Sequence, residues 1–308
     1  MTDQSYYVIL NANAGTAHAT GVTAEMVADL FEANGLTATI EANHDRDLAS
    51  RIADAMASEA QTIVAAGGDG TITAVAAALV DTDKNLAILP LGTVNALAKD
   101  LNIPLDLSQA VAALATGRAH QIDVGEVNGR VFLHKVVVGL IPELAAGREH
   151  IRGRHTLSAK IGFMRYFFRR LTRARRIAVA IETSAGERRV ERVQAIAVAS
   201  NAYDEGPGQI FARHQLDQGT LTLYVLRHLT VIDFFRLTTG MLLGRWRSDE
   251  ALWIESVKGV TIDAHKSMLN VMFDGEVETF QTPFNFTIRP RALSVIVPAV
   301  TVEPAAAA

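Results

Sequence analysis

The chain has 308 residues, of which 49% are hydrophobic and 20% charged, with a net charge of -4 and no cysteine. This length suits two domains better than one, and the composition is typical of a soluble enzyme. The weak negative charge argues against nucleic-acid binding, and the absence of cysteine excludes disulfides and thiol chemistry. Residues 1–5 lack the features of a secretory signal, and no apolar run reaches the roughly 20 residues of a membrane helix, which predicts a cytoplasmic protein.

The first 120 residues alternate strand-like apolar runs with helical periodicity. Strands are predicted at 6–10, 36–42, 62–66 and 86–89, and helices at 21–34, 47–59, 72–80, 96–101 and 107–116. Such alternation predicts a parallel sheet with helices on its faces and ligands at the carboxyl ends of the strands. Thr93 is predicted to cap the helix that begins at Ala96.

Beyond Gly117 the pattern changes to short strand-like runs separated by turns such as Asn128-Gly129 and Asp274-Gly275. Strands are predicted at 121–127, 131–138, 177–182, 195–200, 221–226, 257–262, 268–273, 284–288 and 293–297. The sequence therefore predicts an α/β domain over residues 1–120 and an antiparallel domain over 121–290. Residues 291–308 are predicted to be a last strand and a frayed tail, and whether that strand returns to the first domain is left open.

Two helical segments interrupt the β-rich half. Residues 158–176 combine aromatic side chains with six arginines, and two interpretations stay open: a contact with an anionic membrane, or a solvated surface helix. Residues 231–243 form a second apolar helical stretch, followed by Arg245, Trp246 and Arg247. Core packing is the favoured interpretation of this second stretch, with a lipid-facing role as its alternative.

Polar loops follow three of the predicted strands, at 11–16, 67–71 and 90–95. The central loop contains glycines, which permit positive φ and let backbone N–H groups approach a ligand closely; it reads Gly67-Gly68-Asp69-Gly70-Thr71. The N-terminus of the following helix adds positive charge, which predicts a phosphate ligand. Asp69 beside a phosphate indicates either a bridging divalent cation or a proton acceptor for an attacking hydroxyl. Together these features predict phosphoryl transfer.

Two further motifs follow this loop in the chain, and the three together resemble the diacylglycerol kinase catalytic-domain family. They read Pro90-Leu91-Gly92-Thr93-Val94-Asn95-Ala96-Leu97-Ala98-Lys99 and Phe273-Asp274-Gly275-Glu276. The resemblance extends over residues 6–298, with further matches at Asp123-Val124-Gly125-Glu126-Val127-Asn128-Gly129, Gly139-Leu140 and Ser200-Asn201. It implies a nucleotide-binding α/β domain followed by a β-sandwich domain, with the active site between them.

The resemblance also implies the site residues. ATP phosphates would be held by Gly67, Gly68, Gly70, Thr71, Gly92, Thr93 and Asn95, with further nucleotide contacts from Asn11, Asn13 and Gly15. Ala12 stands where many members have proline. Asp69 is a candidate partner of an active-site Mg²⁺, and Asp69 and Glu276 are alternative general bases. Asp217 is the candidate ligand of a structural Mg²⁺ that some bacterial members bind, although Gln218 and Thr222 replace two expected carboxylates.

The function implied by the resemblance is ATP-dependent phosphorylation of a lipid hydroxyl, on diacylglycerol or a related lipid, with ceramide or a sphingoid base as the alternative. Two hypotheses from other classes are a soluble-substrate kinase of the NAD kinase type and a non-catalytic nucleotide- or lipid-binding regulator. The motif that ends at Glu276 argues against the first, and Asp69, Thr93 and Glu276 together argue against the second. Peripheral, salt-sensitive membrane association is expected, and a homodimer is left open.

Overall fold

The computed structural model describes residues 5–11, 21–140, 142, 165, 169, 171, 176–207, 209 and 211–299. Asn13 and Gly15, together with most of the predicted basic helix at 158–176, lie outside the described residues. The chain divides into two compact units, Met1–Ile122 with Arg291–Ala308 and Asp123–Pro290, and each is described here by itself.

The first unit contains a parallel sheet, as predicted. Its strand order is β2-β1-β3-β4-β16, and each neighbouring pair is parallel. The central strand β3 is buried along its whole length, which explains its unbroken apolar sequence. The strands are β1 (Ser5–Leu10), β2 (Thr37–Glu41), β3 (Thr62–Gly67), β4 (Asn85–Pro90) and the second half of β16 (Phe284–Val297).

Helices cover this sheet and begin at recognisable caps. The side chains of Thr23, Asp47 and Asp106 accept a hydrogen bond from the first turn of α1, α2 and α5. The N-cap of α3 is instead Gly68, which offers no side-chain acceptor. The helices are α1 (Ala24–Ala33), α2 (Leu48–Ala57), α3 (Asp69–Leu79), α4 (Ala96–Asp100) and α5 (Leu107–Thr116).

The second unit contains two antiparallel sheets around one core. One sheet has the order β12-β11-β10-β7-β14-β15, and the other contains the first half of β16, then β13, β8 and β9. Buried side chains from both sheets form a single cluster in which Phe132 makes edge-on contacts with Phe273 and Phe286. The predicted sandwich-like second domain is therefore confirmed. Its strands are β5 (Arg118–Val127), β6 (Arg130–Phe132), β7 (Lys135–Gly139), β8 (Ile177–Thr183), β9 (Arg188–Val193), β10 (Ala195–Ser200), β11 (Leu221–Leu226), β12 (Leu252–Val257), β13 (Gly259–Ala264), β14 (Met268–Phe273) and β15 (Glu276–Gln281).

Several strand predictions were wrong in detail. The predicted strand at 131–138 is two strands, β6 and β7, because the backbone amides at its centre bind a side chain instead of a neighbouring strand. The runs 284–288 and 293–297 are one strand, β16. Its end joins the sheet of the first unit, where Ser294 lies opposite Asn85. Strands β9, β12 and β15 were missed.

The apolar helix predicted at 231–243 is present as α6 (Val231–Leu243). It begins with a capping box between Thr230 and Asp233 and ends at Gly244 in the left-handed conformation. None of the described helices is long and apolar enough to cross a membrane.

Candidate functional site

The loops that follow β1, β3 and β4 begin at the same edge of the first unit's sheet. Gly67 at the end of β3 lies opposite Pro90 at the end of β4, and Leu91 N donates to Gly67 O at 3.0 Å. On the other side of β3, Asn11 N donates to Ala66 O at 2.8 Å. This parallel register brings together the predicted site residues at 11, 67–71 and 92–95.

Gly67 and Gly92 are needed for close contact between the loops. A Cβ atom at Gly92 would lie 2.7 Å from Gly68 Cα, and one at Gly67 would lie 2.8 Å from Thr71 Oγ1. Neither glycine has a positive φ, so the loop does not use the conformational freedom that glycine permits. The glycines instead provide the space that lets the two loops touch.

The Asp69 carboxylate joins the two loops. Its Oδ2 accepts a hydrogen bond from Asn95 N at 3.0 Å, and its Oδ1 accepts one from Ala96 N at 2.7 Å. Asp69 thus supplies, from the first turn of α3, the acceptor that caps α4. The prediction that Thr93 caps this helix was wrong, since Asn95 occupies the cap position with φ 53° and Thr93 is exposed.

Two side-chain amides stabilise the same loops. Asn95 Oδ1 accepts from Gly92 N at 2.9 Å, and Asn95 Nδ2 donates to Gly92 O at 2.9 Å. Asn11 Nδ2 donates to Thr71 Oγ1 at 2.9 Å, which connects β1 to the first turn of α3. Asn11, Thr71 and Asn95 therefore have structural partners, and their direct contact with a nucleotide stays a prediction.

The N-terminus of α3 can accept an anion. No side chain caps it, Gly68 and Asp69 are half-buried, and Gly70 is exposed. The first backbone N–H groups of a helix have no partner within the helix, and the helix dipole adds positive charge there. Phosphate is the ligand chemistry that suits such an arrangement.

Glu276 lies in the second unit, at the start of β15, and is exposed. The two-residue turn before it consists of Asp274 and Gly275, both with positive φ, and it joins β14 to β15 as a hairpin. The carboxylate of Asp274 accepts hydrogen bonds from Leu133 N at 2.7 Å, His134 N at 2.9 Å and Lys135 N at 2.9 Å. Burial raises the pKa of Asp274, while these three amides lower it.

Asp274 has a structural role that the sequence analysis missed. Its hydrogen bonds attach the turn before Glu276 to the loop between β6 and β7. An aspartate in an Asp-Gly turn is expected on conformational grounds alone, so nothing in the sequence indicates the additional contact.

Asp217 also lies in the second unit, in the turn before β11. The nearby Gly219 N donates to Asp123 Oδ2 at 2.6 Å, and Gln218 Nε2 donates to Gln215 Oε1 at 3.2 Å. Within the described residues there is no group of three or more His, Cys, Asp or Glu side chains that could hold a metal ion. The structural Mg²⁺ at Asp217 stays a prediction.

His134 is a half-buried imidazole in the loop that Asp274 holds. Its Nδ1 lies 2.8 Å from Tyr203 Oη, and Lys135 Nζ lies 3.9 Å from the centre of the Phe211 ring. Burial, followed by the positive charges of Arg213 and Lys135, lowers the pKa of His134 to about 2. The imidazole is therefore neutral in the folded protein at any working pH.

This neutral imidazole makes folding sensitive to acid. The pKa of His134 is lower in the folded state than the ordinary 6.5, so protonation of this imidazole favours the unfolded chain. The folded protein therefore has its full stability above pH 6.5 and loses stability as the pH falls. We expect a loss of about 1.5 kcal/mol in the free energy of unfolding between pH 6.5 and about pH 5. Denaturant unfolding of His134→Gln at both pH values should lack this loss, whereas His265→Gln, at an exposed histidine, should retain it. An equal loss of unfolding free energy between the two pH values in His134→Gln and the wild type would contradict the assignment of this pH dependence to His134.

The comparisons with known proteins agree with this geometry. The family model described as "Diacylglycerol kinase catalytic domain" matches residues 5–127, and that described as "YegS C-terminal NAD kinase beta sandwich-like domain" matches residues 144–297. A Pseudomonas aeruginosa protein named "Probable lipid kinase YegS-like" is 32% identical over 260 residues, 83% of this chain and 82% of that protein. The chain belongs to the diacylglycerol kinase catalytic-domain family.

Other relatives extend the comparison and support assignment of the chain as a kinase. The Bacillus subtilis protein named "Diacylglycerol kinase" is 27% identical over 246 residues, 78% of each chain. A crystal structure described as a diacylglycerol kinase from Bacillus anthracis has a TM-score of 0.68 at 19% identity, and covers 98% of this chain and 100% of its own. This last similarity shows that the fold is shared.

Proposed function

We propose that this kinase transfers the γ-phosphate of ATP to a hydroxyl group of a lipid, with diacylglycerol as the first candidate. The observation that carries the proposal is the Asp69 carboxylate, which fixes the 92–96 loop beside the α3 N-terminus through Asn95 N and Ala96 N. The exposed N-terminal turn of α3 supplies donors suited to a polyphosphate. The names of the relatives support a lipid as the acceptor.

The proposed roles follow from what each side chain already binds. Both oxygens of Asp69 accept backbone hydrogen bonds, which favours a positioning role for this residue. Glu276 is exposed at the end of a rigid two-residue turn, which favours it as the general base for the lipid hydroxyl. Phosphoryl transfer needs accurate placement and charge neutralisation more than covalent catalysis, and loops held by hydrogen bonds together with one exposed carboxylate suit that need.

Magnesium fits this site as an ion carried by the nucleotide. Mg²⁺ usually keeps several waters and is held by one or two carboxylates together with substrate phosphates. Each carboxylate oxygen of Asp69 accepts one hydrogen bond from a backbone amide and has a second lone pair that could bind the ion. When bound, the ion would neutralise phosphate charge.

A lipid panel tests the proposal. Purified protein is incubated with Mg-ATP and, separately, with diacylglycerol, ceramide, a sphingoid base and NAD, and products are identified by mass. We expect phosphorylated diacylglycerol. Phosphorylation of ceramide or the sphingoid base instead would support a lipid kinase with a different lipid acceptor. Formation of NADP, or ATP binding without turnover of any lipid, would overturn the proposal.

A further inference from the structure

Arg213 is buried in the second unit although its side chain carries a charge. It is 1% exposed and lies in the segment between β10 and β11. Its Nη1 donates to Leu133 O at 2.9 Å and to Ser200 O at 2.7 Å. A guanidinium that leaves water needs hydrogen-bonding partners to offset the loss of hydration. Backbone carbonyl groups supply part of that compensation here.

The Leu133 carbonyl belongs to a short backbone segment, residues 133–135, that joins β6 to β7 and is held on two sides. Arg213 donates to this segment on its carbonyl side. The carboxylate of Asp274 accepts hydrogen bonds on its amide side, from Leu133 N, His134 N and Lys135 N. In the other direction, Asp274 N donates to Lys135 O at 3.0 Å. A guanidinium and a carboxylate therefore fix the same piece of backbone.

The second carbonyl that Arg213 binds leads to the same segment. Ser200 is the last residue of β10, and its N–H donates to His134 O at 3.1 Å. Both hydrogen bonds of Arg213 Nη1 thus end on groups that are attached to segment 133–135. Loss of Arg213 would free this segment from the end of β10 and from one of its two charged partners.

The charges of Arg213 and Asp274 also stabilise each other. Burial raises the pKa of Asp274, whereas its three amide partners and the positive charge of Arg213 lower it. Opposite charges that are withdrawn from water contribute little net stability, and their attested use is to fix one arrangement of the groups around them. The group fixed in this case is the turn that Asp274 begins.

That turn leads directly to Glu276. Asp274 and Gly275 are its two central residues, and Glu276 is the next residue along the chain, paired with Phe273. The Glu276 side chain is exposed, and its carboxylate accepts no hydrogen bond within the described ranges. The backbone of the turn is therefore what sets the position of this carboxylate.

We propose that Arg213 is a positioning residue for Glu276, acting through segment 133–135 and Asp274. The inference rests on the proposed function, in which Glu276 is the general base for the lipid hydroxyl. Arg213 itself is buried and contacts the backbone of the segment, so it takes no part in the transfer of the phosphoryl group.

A double-mutant cycle tests whether Arg213 acts through Glu276. Arg213→Met removes the donor and the charge but keeps a long side chain. With a water-soluble diacylglycerol we expect kcat to fall by about 10- to 10²-fold and the KM for ATP to stay unchanged, since small displacements of a reacting group have effects of that size. In the Glu276→Gln background the same substitution should lower kcat no further. An equal fold-loss in both backgrounds, or wild-type kcat in Arg213→Met, would overturn the proposal.

Two other substitutions at position 213 guard against a folding defect. Both hydrogen bonds come from one nitrogen, so the single ammonium of Arg213→Lys can donate to both carbonyls and retain the charge. We expect Arg213→Lys to recover most of the lost kcat, and turnover as slow as that of Arg213→Met would count against the proposal. Arg213→Gln keeps a shorter donor and replaces Arg213→Met in the cycle if the methionine variant does not fold.

Arg51 provides the matched control. It is 3% exposed and belongs to the first unit, and its Nη2 likewise donates to two backbone carbonyls, Leu10 O and Glu41 O, each at 2.7 Å. Arg51 shares none of the partners of Arg213 named above. The factor by which Arg51→Met changes kcat should therefore be the same with and without Glu276→Gln.

Mass-detected hydrogen exchange tests the contacts without using activity. The amides of residues 133–135 should exchange at least about tenfold faster in Arg213→Met than in the wild type, because a hydrogen bond to a charged group is lost. Amides of α5 should exchange at the wild-type rate. Unchanged exchange at 133–135 would overturn the proposal at any level of activity. Faster exchange there, in a protein whose wild type phosphorylates no lipid, would support the contacts and count against the proposed function alone.

Discussion

Replacing Glu276 with glutamine is expected to lower kcat for lipid phosphorylation by about 10² to 10⁴-fold, the range for loss of a general base. Glutamine preserves the size of the side chain but cannot take up the proton of the acceptor hydroxyl. Folding should be unaffected, because Glu276 is exposed and its carboxylate accepts no hydrogen bond from the part of the chain that is described. Initial rates with a water-soluble short-chain diacylglycerol, at saturating ATP, measure the effect.

Glu278 provides a matched control for this experiment. It is two residues further along β15 and forms an ion pair with Arg130 at 2.5 Å, so Glu278→Gln removes the same charge from the same strand. We expect wild-type kcat from Glu278→Gln and a wild-type KM for ATP from both variants. Near-normal turnover by Glu276→Gln would make Glu276 a turn residue and leave Asp69 as the remaining candidate base.

The sequence predicted those parts of the fold that depend on local periodicity. β3 is recognisable because all six residues are buried, and α5 because its cap and apolar spacing agree. The strand break at Leu133 and His134 could not be predicted, since the run 131–138 is continuously strand-like. The break exists because Asp274, about 140 residues away in the chain, binds those amides.

The side of α6 that faces solvent could not be predicted, for a different reason. Apolar residues occur all around this helix, so periodicity cannot tell which side faces the core. The sequence favoured core packing, and that is correct for Met241 but wrong for Phe235 and Leu242. The packing of Met241 and the hydrogen bonds of Arg236 with Asp249 orient the helix. The second pairing joins residues 13 apart in the chain, and such a pairing has no sequence signature.

The contacts within the candidate site could not be predicted from the sequence either. The loop sequences predicted where phosphate chemistry should lie, but they did not indicate how the loops hold each other. Asp69 was expected to face a cation or a hydroxyl because a carboxylate beside a phosphate needs a chemical reason. In the structure its two oxygens bind amides 26 and 27 residues away, which gives the carboxylate a structural reason to be there.

Asp69→Asn should therefore impair the enzyme through the geometry of the loop. An asparagine amide would place an NH₂ group against the N–H of Asn95 or Ala96, so one backbone donor loses its acceptor. We expect a loss of about 1–3 kcal/mol in the free energy of unfolding, the cost of leaving a donor unsatisfied. We also expect kcat/KM for ATP to fall by about 10²-fold, since displacement of a positioning loop by about 1 Å has effects of that size.

Asp106→Asn is the matched control, because Asp106 also caps a helix of the first unit, accepting from Gln109 N at 3.0 Å. That cap is exposed and belongs to α5, so the control should show at most a small loss of stability and unchanged kinetics. Denaturant unfolding, together with initial rates at varied ATP, separates the two possible roles of Asp69. If Asp69→Asn lowered kcat while the KM for ATP and the stability stayed at wild-type values, its carboxylate would act on the reacting groups directly. A rise in KM that accompanies the loss of stability is the result expected of a residue that holds the phosphate loops together.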